Sequence, residues 1–153
     1  MDMTKKGYRL PTEAEWEFAA RGRNQSDEAQ WNFPYSGHNN IDVVAWYYNN
    51  AGASNTNIPE SAKGAHPVGL KDPNRGIYDM SGNVREWCWD LYQPIITTNT
   101  PAQGPTGSWY TERVCRGGGW IDAPAACRVI SREGHYKPDY LDWAIGFRWA
   151  RTL

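Results

Sequence analysis

The chain lacks a cysteine arrangement that would staple it or build a redox centre. Cys88, Cys115 and Cys127 are three in number, with no C-x-x-C among them. Complete pairing within the chain is therefore impossible. His38, His66 and His135 stand at no ligand spacing, so a Cys/His zinc site is not expected. No apolar run approaches the ~20 residues of a membrane-spanning helix. The opening Met1-Asp-Met-Thr-Lys-Lys lacks the apolar core of a signal peptide. Strong charge of either sign is missing too: the formal net charge is -1 and the isoelectric point about 6.3. That balance argues against an electrostatic nucleic-acid binder, and no nucleic-acid partner is expected. Internal repeats are absent. The only glycine cluster, Gly117-Gly118-Gly119, is followed by no phosphate-cradling helix pattern, which speaks against a nucleotide loop.

What the chain has in abundance is aromatic and turn-forming. It carries nine Trp, nine Tyr, fifteen Gly and ten Pro in 153 residues. Aromatics supply large buried areas, while Gly and Pro punctuate turns. The mean hydropathy is -0.75, yet so many aromatics do not suit a disordered segment. The composition predicts one loop-rich domain held by aromatic clusters.

The clearest local signal is Tyr8 to Gly22. Thr12 and Glu15 form a capping box, early glutamates suit the positive helix N-terminus, and Gly22 suits a left-handed C-cap. The spacing predicts a helix over 12–21 with Trp16, Ala19 and Ala20 on its buried face. Residues 23–40 read as a polar loop pinned by Trp31 and Phe33-Pro34-Tyr35. Ile41 to Tyr48 fits either a helical turn or a strand. Asn49 to Ala65 reads as an exposed loop, and residues 91–112 as another.

Ile77 to Asp90 is interrupted by the turn Ser81-Gly82-Asn83. Beyond it Val84, Glu86, Cys88 and Asp90 alternate with Arg85, Trp87 and Trp89, which predicts a strand with one aromatic face. Asn83, Glu86 and the turn carbonyls are oxygen donors of the kind a Ca²⁺ ion takes. The same residues equally suit a polar turn closed by its own hydrogen bonds.

The last third organises the chain. Arg113 to Trp120 is a strand-like run opening into three glycines, and Ile145 to Arg148 is a second apolar and aromatic run. Between them, residues 121–144 show little regular period and mix Tyr, Trp, Asp and His. Rigid edges around such a middle fit a binding surface on a scaffold; a poorly patterned surface loop is the other reading.

Four blocks carry a resemblance: Arg9-Leu-Pro-Thr-Glu-Ala-Glu-Trp-Glu-Phe-Ala-Ala-Arg21, Gly76-Ile-Tyr-Asp-Met-Ser-Gly-Asn-Val-Arg-Glu-Trp87, Arg116-Gly-Gly-Gly-Trp120 and Gly146-Phe-Arg148. In order and wording the chain resembles the formylglycine-generating (sulfatase-modifying factor) family. The resemblance implies an α+β, C-type-lectin-like fold, loop-rich, with short twisted strands and few helices. It also implies a single domain over 1–153 that lacks the family's N-terminal portion.

The family's oxidases convert a substrate cysteine to formylglycine with Cu(I) on two thiolates. By resemblance the second thiolate matches Cys127, but the first falls on Asp122, a poor ligand for soft Cu(I). Gly119 stands where the family has serine, and Arg85 where it usually has Trp. No copper is expected on these grounds, and the copper-dependent oxidase remains the alternative function.

The variable proteins of diversity-generating retroelements are the branch this chain resembles better. In them the segment between the glycine block and Gly-Phe-Arg is the displayed one. The resemblance puts the ligand-binding positions at Ile121, Asp122, Pro124, Ala125, Gly134, His135, Tyr136, Tyr140, Leu141, Asp142 and Trp143. Tyr and Trp offer rigid contact area, and Asp and His adaptable polar contacts. The implied function is a non-catalytic recognition domain, displayed at a cell surface or outside the cell. Its ligand would be a protein or a glycan on a host or neighbouring cell. The family's Ca²⁺ site would fall on Ser81, Gly82, Val84 and Glu86.

Overall fold

The computed structural model describes residues 6–23, 26, 28–94 and 111–152. Its elements, in chain order, are β1 (Gly7–Arg9), α1 (Glu13–Ala20), α2 (Glu28–Trp31), α3 (Ile41–Val44), α4 (Tyr48–Ala51), a 3₁₀ turn (Glu60–Ala62), β2 (Arg85–Leu91), β3 (Arg113–Arg116), β4 (Arg132–Tyr136), β5 (Ile145–Gly146) and β6 (Ala150–Thr152). The architecture is the α+β, loop-rich one: short strands, and a longest described helix of eight residues.

α1 forms where the capping signal lies. The Glu15 amide donates to Thr12 Oγ1 at 3.2 Å, and the Thr12 amide donates to Glu15 Oε2 at 2.8 Å. Two donors that a helix start leaves orphaned are thereby satisfied. Gly22 follows with a φ of 87°. Trp16 and Ala20 face inward and pack with Met80, Cys88, Val114 and Val129, while Ala19 is only half-buried against this cluster.

The four-stranded sheet runs β4-β3-β2-β5, antiparallel except for the parallel β2–β5 pair. A separate antiparallel pair joins β1 to β6, with Tyr8 opposite Arg151. Residues at the two ends of the chain thus share one ladder. Two runs of three residues cannot find such partners locally; the distant pairing is a product of the packed core.

β2 alternates as expected, and its aromatic face is the more exposed one. Glu86, Cys88 and Asp90 are buried, whereas Trp87 and Trp89 are half-exposed. The carboxylates go inside because partners await them there. Asp90 Oδ2 accepts from the Glu13 amide at 2.8 Å, and Glu86 Oε2 accepts from Trp16 Nε1 at 2.7 Å. Hydrogen-bonded in this way, a buried polar group avoids most of its desolvation cost. The Arg113 guanidinium lies over Trp89, 4.5 Å from the ring centre, so the outer aromatic face is covered by a cation rather than by core.

Of the two readings of Ile41 to Tyr48 the helical one is found, as α3 and the start of α4. Two further expectations change. Asn49 to Ala65 is not an open loop throughout, since Ala51 and Asn55 are buried and Asn55 Nδ2 donates to the carbonyls of Tyr48 and Asn49. The 121–144 segment is not wholly irregular either: β4 runs through it and pairs with β3. β4 escaped a periodicity reading because its residues, Arg-Glu-Gly-His-Tyr, have no apolar alternation. Residues 95–110 of the second expected loop lie outside the described residues.

Candidate functional site

Most of the candidate face grows from β4 and the turn that follows it. Tyr136 ends the strand and half-buries its ring, edge-on to Trp87 of β2 with centroids 6.2 Å apart. Tyr140 stacks on Tyr136 at 5.1 Å with 28° between the planes. The three rings rise in steps from sheet to surface. The turn is closed by Asp142, whose Oδ1 accepts from the Ala144 amide at 2.6 Å and whose Oδ2 faces the Tyr140 hydroxyl at 3.4 Å. Asp142 acts as a local turn-former here. On this support Tyr140, Leu141 and Trp143 project outward, 46%, 93% and 80% exposed.

Beneath the face sits a charge the sequence reading did not assign. Arg85, buried at the start of β2, forms ion pairs with Asp122 through Nη2 and with Glu133 through Nε, the latter at 2.6 Å. Burial alone would weaken the hold of this guanidinium on its proton. The charges of Asp122 and Glu133, with those of Tyr136 and Asp142 behind them, more than compensate and raise its pKa. Burial in turn raises the Tyr136 phenol, partly offset by Arg85.

Asp122 is therefore scaffold rather than display. Besides the ion pair, its Oδ2 accepts from the Gly119 amide at 2.7 Å and its carbonyl accepts from the Tyr48 amide at 2.9 Å. Gly134 is scaffold for a steric reason. It is buried, and a Cβ built on it would overlap the Tyr92 ring. A position that tolerates no side chain cannot display one.

The remaining positions divide. Ile121 is half-buried and packs on the Trp120–Ala144 cluster. Pro124 is half-buried and Ala125 exposed. The Ala125 carbonyl accepts from Ser131 Oγ at 2.6 Å. His135 belongs to β4, and its side chain lies outside the described set. The structure links Tyr136, Tyr140 and Asp142 directly.

Comparison with known proteins now has a geometry to meet. Residues 2–153 match the sulfatase-modifying factor enzyme 1-like domain. The chain belongs to the sulfatase-modifying factor family. Its relatives include the chaperone protein LppX of Paenibacillus barcinonensis, 40% identical over 150 residues covering 95% of this chain and 50% of LppX. The formylglycine-generating enzyme of Streptomyces coelicolor is 33% identical over 149 residues, covering 94% of this chain and 46% of the enzyme. Among solved structures, Treponema denticola variable protein 1 superposes with a TM-score of 0.72 at 37% identity, covering 97% of this chain and 49% of the other. The chain spans about half the length of the curated relatives it matches.

Within the sulfatase-modifying factor family, the Arg85–Asp122 pair explains two departures at once. Where the oxidases use a thiolate, this chain has Asp122; where they usually have Trp, it has Arg85. The two substituted groups neutralise each other. Cys127 is completely buried, and burial pushes its pKa up to about 12, with Asp122 and Glu133 adding to the effect. Its Sγ would lie 2.8 Å from a Cβ on Gly118, whose φ is 65°, so glycine is needed there on two counts. One buried thiol beside an arginine–carboxylate pair does not fit Cu(I), which asks for paired soft donors.

The calcium expectation meets a similar obstacle at Glu86. Its two carboxylate oxygens receive the Arg148 guanidinium at 2.5 and 2.6 Å, and Oε2 also receives the Trp16 indole. Ser81 Oγ accepts from the Ser36 amide at 3.1 Å. Asn83 bonds His66 through its side chain in both directions, with distances of 2.9 and 3.0 Å. A divalent cation taking Glu86 would have to share it with, or displace, the Arg148 guanidinium. Among the described residues no three His, Cys, Asp or Glu side chains cluster to hold a metal.

Two outcomes test this division of the site. Gly134→Ala should destabilise the protein by about 1–3 kcal/mol, because Tyr92 must move. Trp143→Ala should change stability by less than about 0.5 kcal/mol, as exposed positions do; urea unfolding of both variants measures the contrast. Glu86→Gln should lower the urea midpoint, since the bonds to Arg148 and Trp16 are each worth roughly 1–3 kcal/mol when charged. Calorimetric titration with Ca²⁺ should give the same small heat for this variant as for the parent.

Proposed function

We propose that the chain is a non-catalytic recognition domain whose binding face is the 136–143 turn, in the manner of variable proteins of diversity-generating retroelements. The observation that carries this reading is the Arg85–Asp122–Glu133 ion cluster. It occupies the floor where an oxidase of the family needs two thiolates, and it lies directly below rigidly held, exposed aromatics. An ion-paired floor under an exposed turn is suited to holding shape, not to redox chemistry. Likeness to Treponema denticola variable protein 1 supports the same reading. The ligand would be a macromolecule on a host or neighbouring cell, met at the cell surface or outside the cell. Aromatic anchors at an interface centre commonly contribute ~2 kcal/mol or more each, so a few exposed rings would dominate affinity.

The test is the triple variant Tyr140→Ala, Leu141→Ala and Trp143→Ala in capture from candidate host surfaces. It should fold with an unchanged circular-dichroism spectrum and lose its partner. A folded variant that retains every partner would overturn the assignment of the face.

The oxidase reading rests on the identity to the Streptomyces coelicolor enzyme. After Cu(I) loading, incubation with a Cys-Xaa-Pro-Xaa-Arg peptide should yield no aldehyde product by mass spectrometry. Multiple turnovers would establish the oxidase in its place.

A further inference from the structure

Resting on that reading of the face, the charge around it carries an inference about the partner. Beside the exposed turn lies an open cavity of about 480 Å³ lined by Glu112, Lys137, Asp139, Tyr140 and Leu141. Among the described residues, neither Glu112 nor Asp139 has an ion-pair partner within reach; the nine ion pairs found involve other groups. Among the described residues that line the cavity, Lys137 is the one cation.

The neighbouring arginines are committed elsewhere. Arg85 is held by Asp122 and Glu133. Arg113 donates to the Trp89 carbonyl and covers that ring. Arg132 is clamped by Glu13 at 2.5 and 2.8 Å. Residues 95–110 contain no charged side chain. The cavity is thus left with two carboxylates against one ammonium, with a tyrosine ring on its wall and an almost fully exposed leucine on its lip.

We propose that this cavity receives a basic side chain, arginine or lysine, of a protein partner, with an apolar neighbour of that side chain resting on Leu141 and Trp143. Each part of the site has a matching task. Glu112 and Asp139 offer carboxylates to the cation, and a guanidinium can take either one through two parallel bonds. Tyr140 offers a ring face to the same cation. Its ring is already fixed by the stack on Tyr136, so little ordering is needed on binding. Leu141 and Trp143 supply an apolar contact for the neighbour of that side chain. A partner presenting an acidic side chain would meet two like charges, and that repulsion selects against it.

The probes are three synthetic peptides, acetyl-Gly-Leu-Arg-Leu-Gly amide and the same sequence with glutamate or citrulline at the centre, together with maltohexaose. Each is titrated into the ¹⁵N-labelled protein and followed by amide chemical shifts. The arginine peptide should shift residues 137–143 and bind at least about fivefold more tightly than the glutamate peptide, as two exposed charge contacts allow. In the double variant Glu112→Gln, Asp139→Asn the preference should fall below about twofold, by loss of those contacts. Binding at 137–143 with equal strength for all three peptides would overturn the charge inference and leave the face standing. Shifts elsewhere, shifts from maltohexaose alone, or no shift with any peptide would overturn the inference as well. The separate loss-of-capture experiment on the triple variant decides the face itself.

Discussion

A buried carboxylate must find a positive or donating partner, and Glu86 finds two that lie far apart in the chain. The Trp16 indole approaches from α1, 70 residues earlier, and Arg148 from the Gly-Phe-Arg edge, 62 residues later. Because both bonds are made on one side chain of β2, the helix, the central strand and the end of the display segment are located relative to one another. Removing one partner would leave charge stranded in low dielectric, which makes the arrangement all-or-none. The core cluster around Trp16, Met80 and Val114 supplies the burial that makes those bonds matter.

Arg116 repeats the device one strand over. Its side chain is fully buried, pairs with Glu17 and, at 3.4 Å, Glu13, and lies over the Trp16 ring. Glu13 in turn clamps Arg132 at the start of β4. Through this chain of pairs α1 is tied to β3 and to β4, the strand from which the 136–143 turn leaves the sheet.

The ion cluster at Arg85 and the aromatic steps above it divide the work of the site. Arg85, Asp122 and Glu133 form an ion-paired floor, while Tyr140, Leu141 and Trp143 are exposed and take no part in it. Such a separation lets surface residues be replaced at little structural cost. It also accounts for the paired departures from the oxidase pattern: an arginine brought into the floor needs a carboxylate, and an aspartate left there needs a cation.

What the sequence alone determined is whatever depends on local geometry or on a whole block of wording. The capping box of α1 is readable because its bonds span three residues. The framing edges and the family are readable because four blocks recur in order. Tyr140, Leu141 and Trp143 are among the eleven positions that the resemblance points to; their exposure in the fold singles them out. The tertiary structure decided the rest. No local pattern shows that a Tyr92 ring will lie on Gly134, or that Asp122 will meet Arg85 across 37 residues. The alternation of β2 does not say which of its faces is buried until the partners of Glu86 and Asp90 from other elements are in place. A polar residue's side of a strand is settled by which hydrogen-bond donors it meets, and those donors are brought near only by folding.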